Sequence, residues 1–244
     1  MAKSKADRFL YAFNQIEKSL QQVLEDAGSD IGYKGLVAEA AKRGYLPAST
    51  YQQRLITFGY LRNAIVHNPE SSDGEAIATP RNDVVQEIEE IAEIIEAPPT
   101  VDSICSGPVY TVLGNCLIRD VAIHMKEQDF SQAPVEDYEG NFRTLLTTNT
   151  VARWFAEALQ RDTNLDEATV DDVLDYRERE DNYELLPQDA TLFRLVDMFD
   201  AKVENHIPPR VAIVTKDGSK SSIEGIATPF DLPLAFRKLS FSRR

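Results

Sequence analysis

Apolar side chains recur at three- and four-residue steps through the first hundred residues, which is the spacing of amphipathic helices. Gly28, Gly44 and Asn68-Pro69 interrupt this pattern, because glycine and proline disfavour a continuing helix. The pattern predicts four helices: over about residues 5–26, over 33–43, from Pro47 to Asn68, and from Val84 to Ile95. Four helices that each have one apolar face predict a small antiparallel bundle over residues 1–98.

Beyond Pro98-Pro99 the pattern changes to short β-type runs that alternate with helices. The order strand, helix, strand, strand, helix occurs twice, and its β-hairpin ends at Thr147 in the first copy and at Thr228 in the second, 81 residues later. This spacing predicts an internal duplication, with copies at 101–160 and 170–237 of a domain that spans 99–239. The predicted fold class is therefore α+β, in two domains.

The elements of the two copies follow from the same pattern. The predicted strands are 109–112, 133–135, 142–147, 183–186, 210–214 and 222–228, and the predicted helices are 117–125, 150–159, 190–201 and 230–237. Residues 160–180 are acidic and polar, which is typical of a linker between the copies. The charged run Arg177–Asp181 is interpreted as a solvated part of that linker.

Composition and charge exclude several classes of protein. The 244 residues include 43% hydrophobic ones, a globular value, and 40 acidic against 26 basic side chains give a net charge of −14. A strongly acidic chain is not typical of a stable duplex-DNA binder, since such binding relies on basic patches. No apolar run approaches the roughly 18–20 residues of a membrane helix. Two cysteines form no disulfide framework, which predicts a protein of the reducing cytoplasm. The three histidines are scattered, which predicts no metal site.

The third predicted helix carries the first candidate for chemistry, Arg62-Asn63 followed by His67. Arg62 and His67 are five positions apart, about 140° around a helix, so their side chains do not stack. A histidine that titrates near neutrality can act as acid or base, and a guanidinium can hold a phosphate. The alternative is structural, with Arg62 as a surface charge and His67 as a capping residue at the helix end.

A helical bundle of about a hundred residues with Arg62, Asn63 and His67 late in its third helix resembles the HEPN family. The resemblance covers residues 5–97 and implies a metal-independent ribonuclease whose site forms across a homodimer. It implies that Arg62 holds the scissile phosphate, that His67 assists the attack of the ribose 2′-hydroxyl or protonates the leaving oxygen, and that Asn63 orients the two. Some members of the family are non-catalytic binding or dimerisation modules.

The second candidate is Thr228 and Asp231, where the last predicted strand meets the last helix. Backbone N–H groups at a helix start bind anions, and a carboxylate there can accept both hydroxyls of a ribose. The alternative is capping alone, because threonine and aspartate are common at helix starts. The aligned positions of the first copy are Thr144, Thr147 and Thr150, so that copy lacks the aspartate.

The duplication and the spacing Gly225-x-x-Thr228-x-x-Asp231 resemble a tandem CBS pair. Such pairs bind adenine nucleotides (AMP, ADP, ATP), S-adenosylmethionine or cyclic dinucleotides in clefts between the copies. The resemblance implies that Thr228 and Asp231 bind ribose and phosphate, and that Arg210 contacts a phosphate. It implies further that Val211 and Ile213 flank the base and that Thr147 belongs to a second, degenerate cleft. A pair with no working cleft would serve only for dimerisation.

Together the two resemblances predict a ribonuclease-type effector, with RNA as substrate, governed by a nucleotide sensor within a homodimer. No cofactor is required for this chemistry, because internal attack by a 2′-hydroxyl needs only acid–base help and charge stabilisation. The alternative is a non-catalytic adaptor that senses nucleotides and uses its helical bundle for dimerisation or partner binding. The acidic charge favours the adaptor modestly.

Overall fold

The computed structural model describes residues 4–24, 31–46, 51–66, 78–105, 108–161, 164–178, 181–199 and 209–239. Gly28, Pro47, His67 and Asn68-Pro69 lie outside these ranges. The helices are α1 (Lys5–Val23), α2 (Tyr33–Lys42), α3 (Gln53–Val66), α4 (Asn82–Glu96), α5 (Ile118–Glu127), α6 (Thr148–Arg161), α7 (Val170–Leu174), α8 (Leu192–Phe199) and α9 (Leu232–Leu239). The strands are β1 (Val112–Leu113), β2 (Gln132–Glu136), β3 (Phe142–Thr147), β4 (Tyr183–Pro187), β5 (Val211–Thr215) and β6 (Ile223–Ala227).

The N-terminal part is helical, as the periodicity predicts. Helix α1 begins at a capping box, in which Ser4 Oγ accepts from Asp7 N at 3.1 Å while the Asp7 carboxylate accepts from Ser4 N at 3.2 Å. Its apolar face packs against α4, and Phe9 also contacts Phe58 of α3 edge to face at 5.8 Å. Burial of these faces supplies most of the stability of such helices. Their arrangement as an antiparallel bundle stays a prediction.

The C-terminal part contains two three-stranded sheets, in the orders β1-β2-β3 and β4-β5-β6. In each sheet the first two strands are parallel and the last two antiparallel, so a helix crosses over between the parallel strands. The order strand, helix, strand, strand, helix therefore occurs twice, as predicted. No helix among the described residues is both long and apolar enough to cross a membrane.

The strand register establishes which residues of the two copies correspond. Thr144 pairs with Val135 in the first sheet, and Gly225 pairs with Val214 in the second. Each sheet has an irregularity directly after that valine. The structure thus aligns Thr144 with Gly225, 81 residues apart, which is the offset that the sequence predicts between Thr147 and Thr228.

The two sheets meet along β3 and the hairpin of β5 and β6. Phe142 N donates to Ser221 O at 3.0 Å, and Asn141 forms an isolated antiparallel bridge with Ser222. Beneath these bonds lies a shared apolar cluster whose buried members are Phe142, Leu145, Val211 and Ile213. The last two are completely buried, because β5 is the central strand of its sheet.

Two predictions of secondary structure in the C-terminal part are wrong. The first strand is only Val112–Leu113 rather than 109–112, since only those two residues find pairing partners on β2. The stretch 160–180 is not simply a linker, because it contains α7. A capping box of Thr169 and Asp172 begins this helix, and Val170, completely buried, joins the core of the first copy.

By their internal contacts the residues form two compact units. Unit 1 comprises Met1–Pro99, Thr191–Asp197 and Leu234–Arg244, and unit 2 comprises Thr100–Ala190 and Met198–Pro233. Within unit 1 the Tyr51 hydroxyl donates to the backbone oxygen of Leu239, and its ring meets Phe193 at 5.9 Å. Burial raises the pKa of Tyr51, so this hydroxyl keeps the proton that it donates.

Candidate functional site

The junction between β6 and α9 holds Thr228 and Asp231 in a fixed geometry. A 3₁₀ turn, Pro229–Asp231, precedes α9, and Thr228 is its N-cap. Asp231 Oδ2 accepts from Thr228 N at 2.7 Å and from Thr228 Oγ1 at 3.0 Å. Among the described residues, no donor reaches Oδ1 of this half-buried carboxylate. The capping alternative therefore accounts for one oxygen of Asp231 and leaves the other available for a ligand.

Gly225, on the strand that leads to this junction, lies directly against Cys105. A Cβ atom at Gly225 would stand 2.8 Å from Cβ and 2.9 Å from Sγ of Cys105, closer than real side chains approach. Burial, followed by the negative fields of Asp231 and Asp102, raises the pKa of the Cys105 thiol to about 11. The thiol thus stays protonated at neutral pH, and Cys105 is a packing neighbour of the candidate site rather than a nucleophile.

Replacing Gly225 by alanine is expected to lower the free energy of unfolding by about 1–3 kcal/mol, because the added methyl group overpacks the contact with Cys105. When Gly225→Ala is made in the Cys105→Gly variant, the loss relative to Cys105→Gly alone should be at most half as large, since both contacting atoms are then absent. Urea unfolding of the two variants and of Cys105→Gly alone measures the effect. Wild-type stability in Gly225→Ala would contradict the close contact.

The remaining residues predicted for this site are placed differently. Val211 and Ile213 are completely buried in the shared apolar cluster, so their side chains contact protein. Arg210 lies near Asp181, with its Nε 3.7 Å from Asp181 Oδ1. Among the described residues, no hydrogen bond or ion pair links Arg210 to Thr228 or Asp231. The proposed roles of these three residues toward a base or a phosphate stay predictions.

In the first copy the corresponding junction is filled by the chain itself. Asp181, which precedes β4 and is 1% exposed, accepts from Thr147 Oγ1 at 3.0 Å and from Thr150 Oγ1 at 2.9 Å. It also accepts from Glu178 N at 3.1 Å, so both of its oxygens are used. Thr147 and Thr150 correspond to Thr228 and Asp231. The junction of the first copy therefore does contain a carboxylate, supplied by the segment before β4, and this carboxylate is buried with both oxygens already hydrogen-bonded.

Arg177 completes this closed junction. Its Nη1 donates to Thr144 Oγ1 and its Nη2 donates to Asp181 O at 3.1 Å, whereas its buried Nε has no partner among the described residues. The interpretation of the run Arg177–Asp181 as solvated is thus wrong for Asp181. Sequence reasoning missed both residues. The available signal was that Thr150 stands where the second copy has an aspartate, so that the Thr147 hydroxyl needs another acceptor.

The helical part places two of its three candidate residues together. Arg62 Nη1 donates to Asn63 Oδ1 at 3.2 Å near the end of α3, on an exposed surface. Both residues line a cavity of about 400 Å³ in unit 1. His67 lies outside the described residues, so its position relative to Arg62 stays a prediction. Nowhere in the described ranges do three histidine, cysteine or acidic side chains form a group that could hold a metal ion.

Comparison of the sequence with protein-family models and with curated proteins finds no match. The similar solved structures include CBS-domain pairs, which cover the C-terminal part of the chain. One is the CBS-domain pair of protein MJ0100 in complex with 5′-methylthioadenosine and S-adenosyl-L-methionine, at a TM-score of 0.42 and 18% identity over 59% of this chain and 99% of that one.

Two further similar structures carry other ligands. CBSX2 in complex with AMP has a TM-score of 0.43 and 14% identity, over 58% of this chain and 98% of that one. CbpB in complex with c-di-AMP has a TM-score of 0.45 and 15% identity, over 62% of this chain and 93% of that one. The ligands named are those of the similar structures, not of this chain.

Proposed function

We propose that the duplicated C-terminal part is a CBS pair that senses an adenine nucleotide, S-adenosylmethionine or a cyclic dinucleotide, and that it controls a HEPN-type ribonuclease in the N-terminal helices. The main support for a sensor is the hydrogen bonding of the Asp231 carboxylate. Thr228 holds its Oδ2, and its Oδ1 is left without a donor among the described residues. A ribose presents hydroxyl donors of the kind that this oxygen can accept.

Of the two corresponding junctions, only that of the second copy offers such an oxygen among the described residues. In the first copy both oxygens of Asp181 already accept hydrogen bonds, and the carboxylate is 1% exposed. A ribose would have to displace these internal partners, at the energetic cost of leaving buried groups unpaired. We therefore infer one nucleotide per chain, bound beside Thr228 and Asp231.

Thermal unfolding in the presence of AMP, ADP, ATP, S-adenosylmethionine or cyclic dinucleotides tests the sensor. The ligand that binds is expected to stabilise the wild type by about 2.7 kcal/mol at a hundredfold excess over its dissociation constant. Asp231→Ala should abolish this stabilisation, whereas Asp189→Ala, a change at an exposed acid on a turn, should preserve it. Calorimetric titration should give one nucleotide per chain. No stabilisation by any of these ligands would contradict the sensor.

The proposed effector chemistry is the internal cleavage of RNA. The ribose 2′-oxygen attacks the adjacent phosphorus and the 5′-oxygen leaves, which produces a 2′,3′-cyclic phosphate and a 5′-hydroxyl. In this step Arg62 would hold the phosphate charge, and His67 would accept the 2′-hydroxyl proton or give one to the leaving oxygen. A homodimer would bring the motifs of two chains into one site. The placement of Arg62 and Asn63 on an exposed surface beside a cavity supports access by a large substrate.

The second candidate is an adaptor without catalysis, in which the helical part binds a partner protein. The net charge of −14 favours it, because an acidic surface repels RNA. The two candidates differ in one measurement. Purified wild-type protein that binds nucleotide but leaves RNA intact, with and without that nucleotide, would indicate the adaptor.

A further inference from the structure

Residues of α1, α3, and α2 with its N-cap line the cavity beside Arg62 and Asn63. Ile56, Gly59, Tyr60 and Asn63 follow one another at helical spacing along one face of α3 and line the cavity. Its volume of about 400 Å³ lies within the range typical of small-ligand sites. The cavity is therefore large enough for one nucleotide unit.

The aromatic lining of the cavity suits a flat ring. Tyr60 is 65% exposed. A large aromatic side chain in contact with water contributes little to folding stability, so the exposure of this ring is not explained by packing. The Tyr33 ring packs against Phe13 in a tilted arrangement with centroids 4.4 Å apart, and a Cβ atom at Gly59 would stand 3.1 Å from the Tyr33 ring. Gly59 thus lets the Tyr33 ring pack against α3, while the exposed Tyr60 ring stays available for stacking with a base.

The charged lining is ordered in a way that fits a nucleotide. Lys34 and Arg62 supply cationic donors, as a phosphate requires. Lys34 lies in the first turn of α2, a helix that no side chain among the described residues caps. Glu17, on α1, is the acidic residue of the lining, and its field contributes to raising the pKa of Tyr33, after burial. A carboxylate here repels phosphate and attracts the donor edge of a base.

We propose that this cavity binds a guanine nucleotide unit of single-stranded RNA, with the base stacked on Tyr60, its donor edge on Glu17 and its phosphate on Lys34 and Arg62. Guanine is the base that presents two neighbouring N–H donors, N1–H and the N2 amino group, to the two oxygens of one carboxylate. The proposal rests on the RNA-cleaving function, because it names the substrate class of the site that contains Arg62.

Binding is tested with RNA that cannot be cleaved. Fluorescent hexamers of sequence UUUGUU and UUUUUU, with 2′-O-methyl groups at every position, lack the attacking hydroxyl, so their anisotropy reports affinity alone. Wild type should prefer the guanine hexamer by about tenfold, the effect of one good bidentate contact. Tyr60→Ala should weaken binding by about tenfold, and Lys34→Gln should weaken binding of both hexamers. Glu17→Gln should remove the guanine preference.

The controls separate this proposal from the others. Tyr138→Ala removes a ring that is 81% exposed and not part of the cavity, and should change nothing. Equal affinity for both hexamers, or Tyr60→Ala indistinguishable from Tyr138→Ala, would overturn the guanine cavity. Cleavage of unmodified RNA is measured separately, so a protein that binds but does not cleave retains the cavity and loses the ribonuclease.

Discussion

Replacing Asp181 by alanine is expected to lower the free energy of unfolding of the C-terminal part by about 3 kcal/mol. The carboxylate is 1% exposed and accepts three hydrogen bonds, two of them from the Thr147 and Thr150 hydroxyls. The hydroxyls lie 3.0 Å apart and can still bond to each other, so one buried hydroxyl and the Glu178 N–H lose their acceptor. The pairing of Asp181 with Arg210 adds little, because Arg210 is 48% exposed at a distance of 3.7 Å.

Trp154, the single tryptophan of the chain, reports this unfolding. It is 7% exposed in α6, one turn after Thr150, and belongs to the core of the first copy. Urea unfolding followed by its fluorescence should show the loss for Asp181→Ala and a smaller one for Asp181→Asn, which retains part of the hydrogen bonding. Asp175→Ala, a change at an exposed acid after α7, is the matched control. Equal stability of Asp181→Ala and Asp175→Ala would mean that the closed junction contributes nothing.

Replacing His67 by alanine is expected to slow RNA cleavage by about a hundredfold or more, the usual contribution of one general acid or base. Arg62→Ala should cause a loss of similar order, since the phosphate charge then develops without its counter-charge. His124→Ala is the control, because His124 belongs to the other unit, where its ring contacts Tyr110 with centroids 4.1 Å apart. Initial rates on an unstructured RNA, in buffer with EDTA, measure the effect.

The products of RNA cleavage test the proposed mechanism directly. Internal attack must give a 2′,3′-cyclic phosphate, and a 2′-O-methyl group at the cleaved position must block the reaction. Activity that survives in both His67→Ala and Arg62→Ala would indicate a contaminating nuclease or another site. Activity that disappears in EDTA would contradict a metal-independent mechanism.

The duplication was the part of the fold that the sequence predicted best. Strand and helix periods in the C-terminal part are local properties, and β3 has the predicted bounds of 142–147. The offset of 81 residues then placed Thr144 against Gly225 correctly, since the same hydrophobic pattern sets the register of both hairpins. The bounds of the short strand β1 were predicted incorrectly and the helix α7 was missed, because both depend on contacts with residues far away in the chain.

The candidate sites divide in the same way. By itself the sequence determined which side chains are available: Thr228 and Asp231 at a helix start, and Arg62 and Asn63 near the end of a helix, because caps and helix faces depend on neighbours a few residues away. Only the tertiary structure decided that Asp181 would close the first copy. Its carboxylate accepts hydrogen bonds from Thr147 and Thr150, which are more than thirty residues away in the chain. A run of charged residues predicts solvent exposure, and only the folded structure shows that one of them is buried. The difference between an open carboxylate at Asp231 and a saturated one at Asp181 is a matter of burial and hydrogen-bond partners, which a local pattern does not contain.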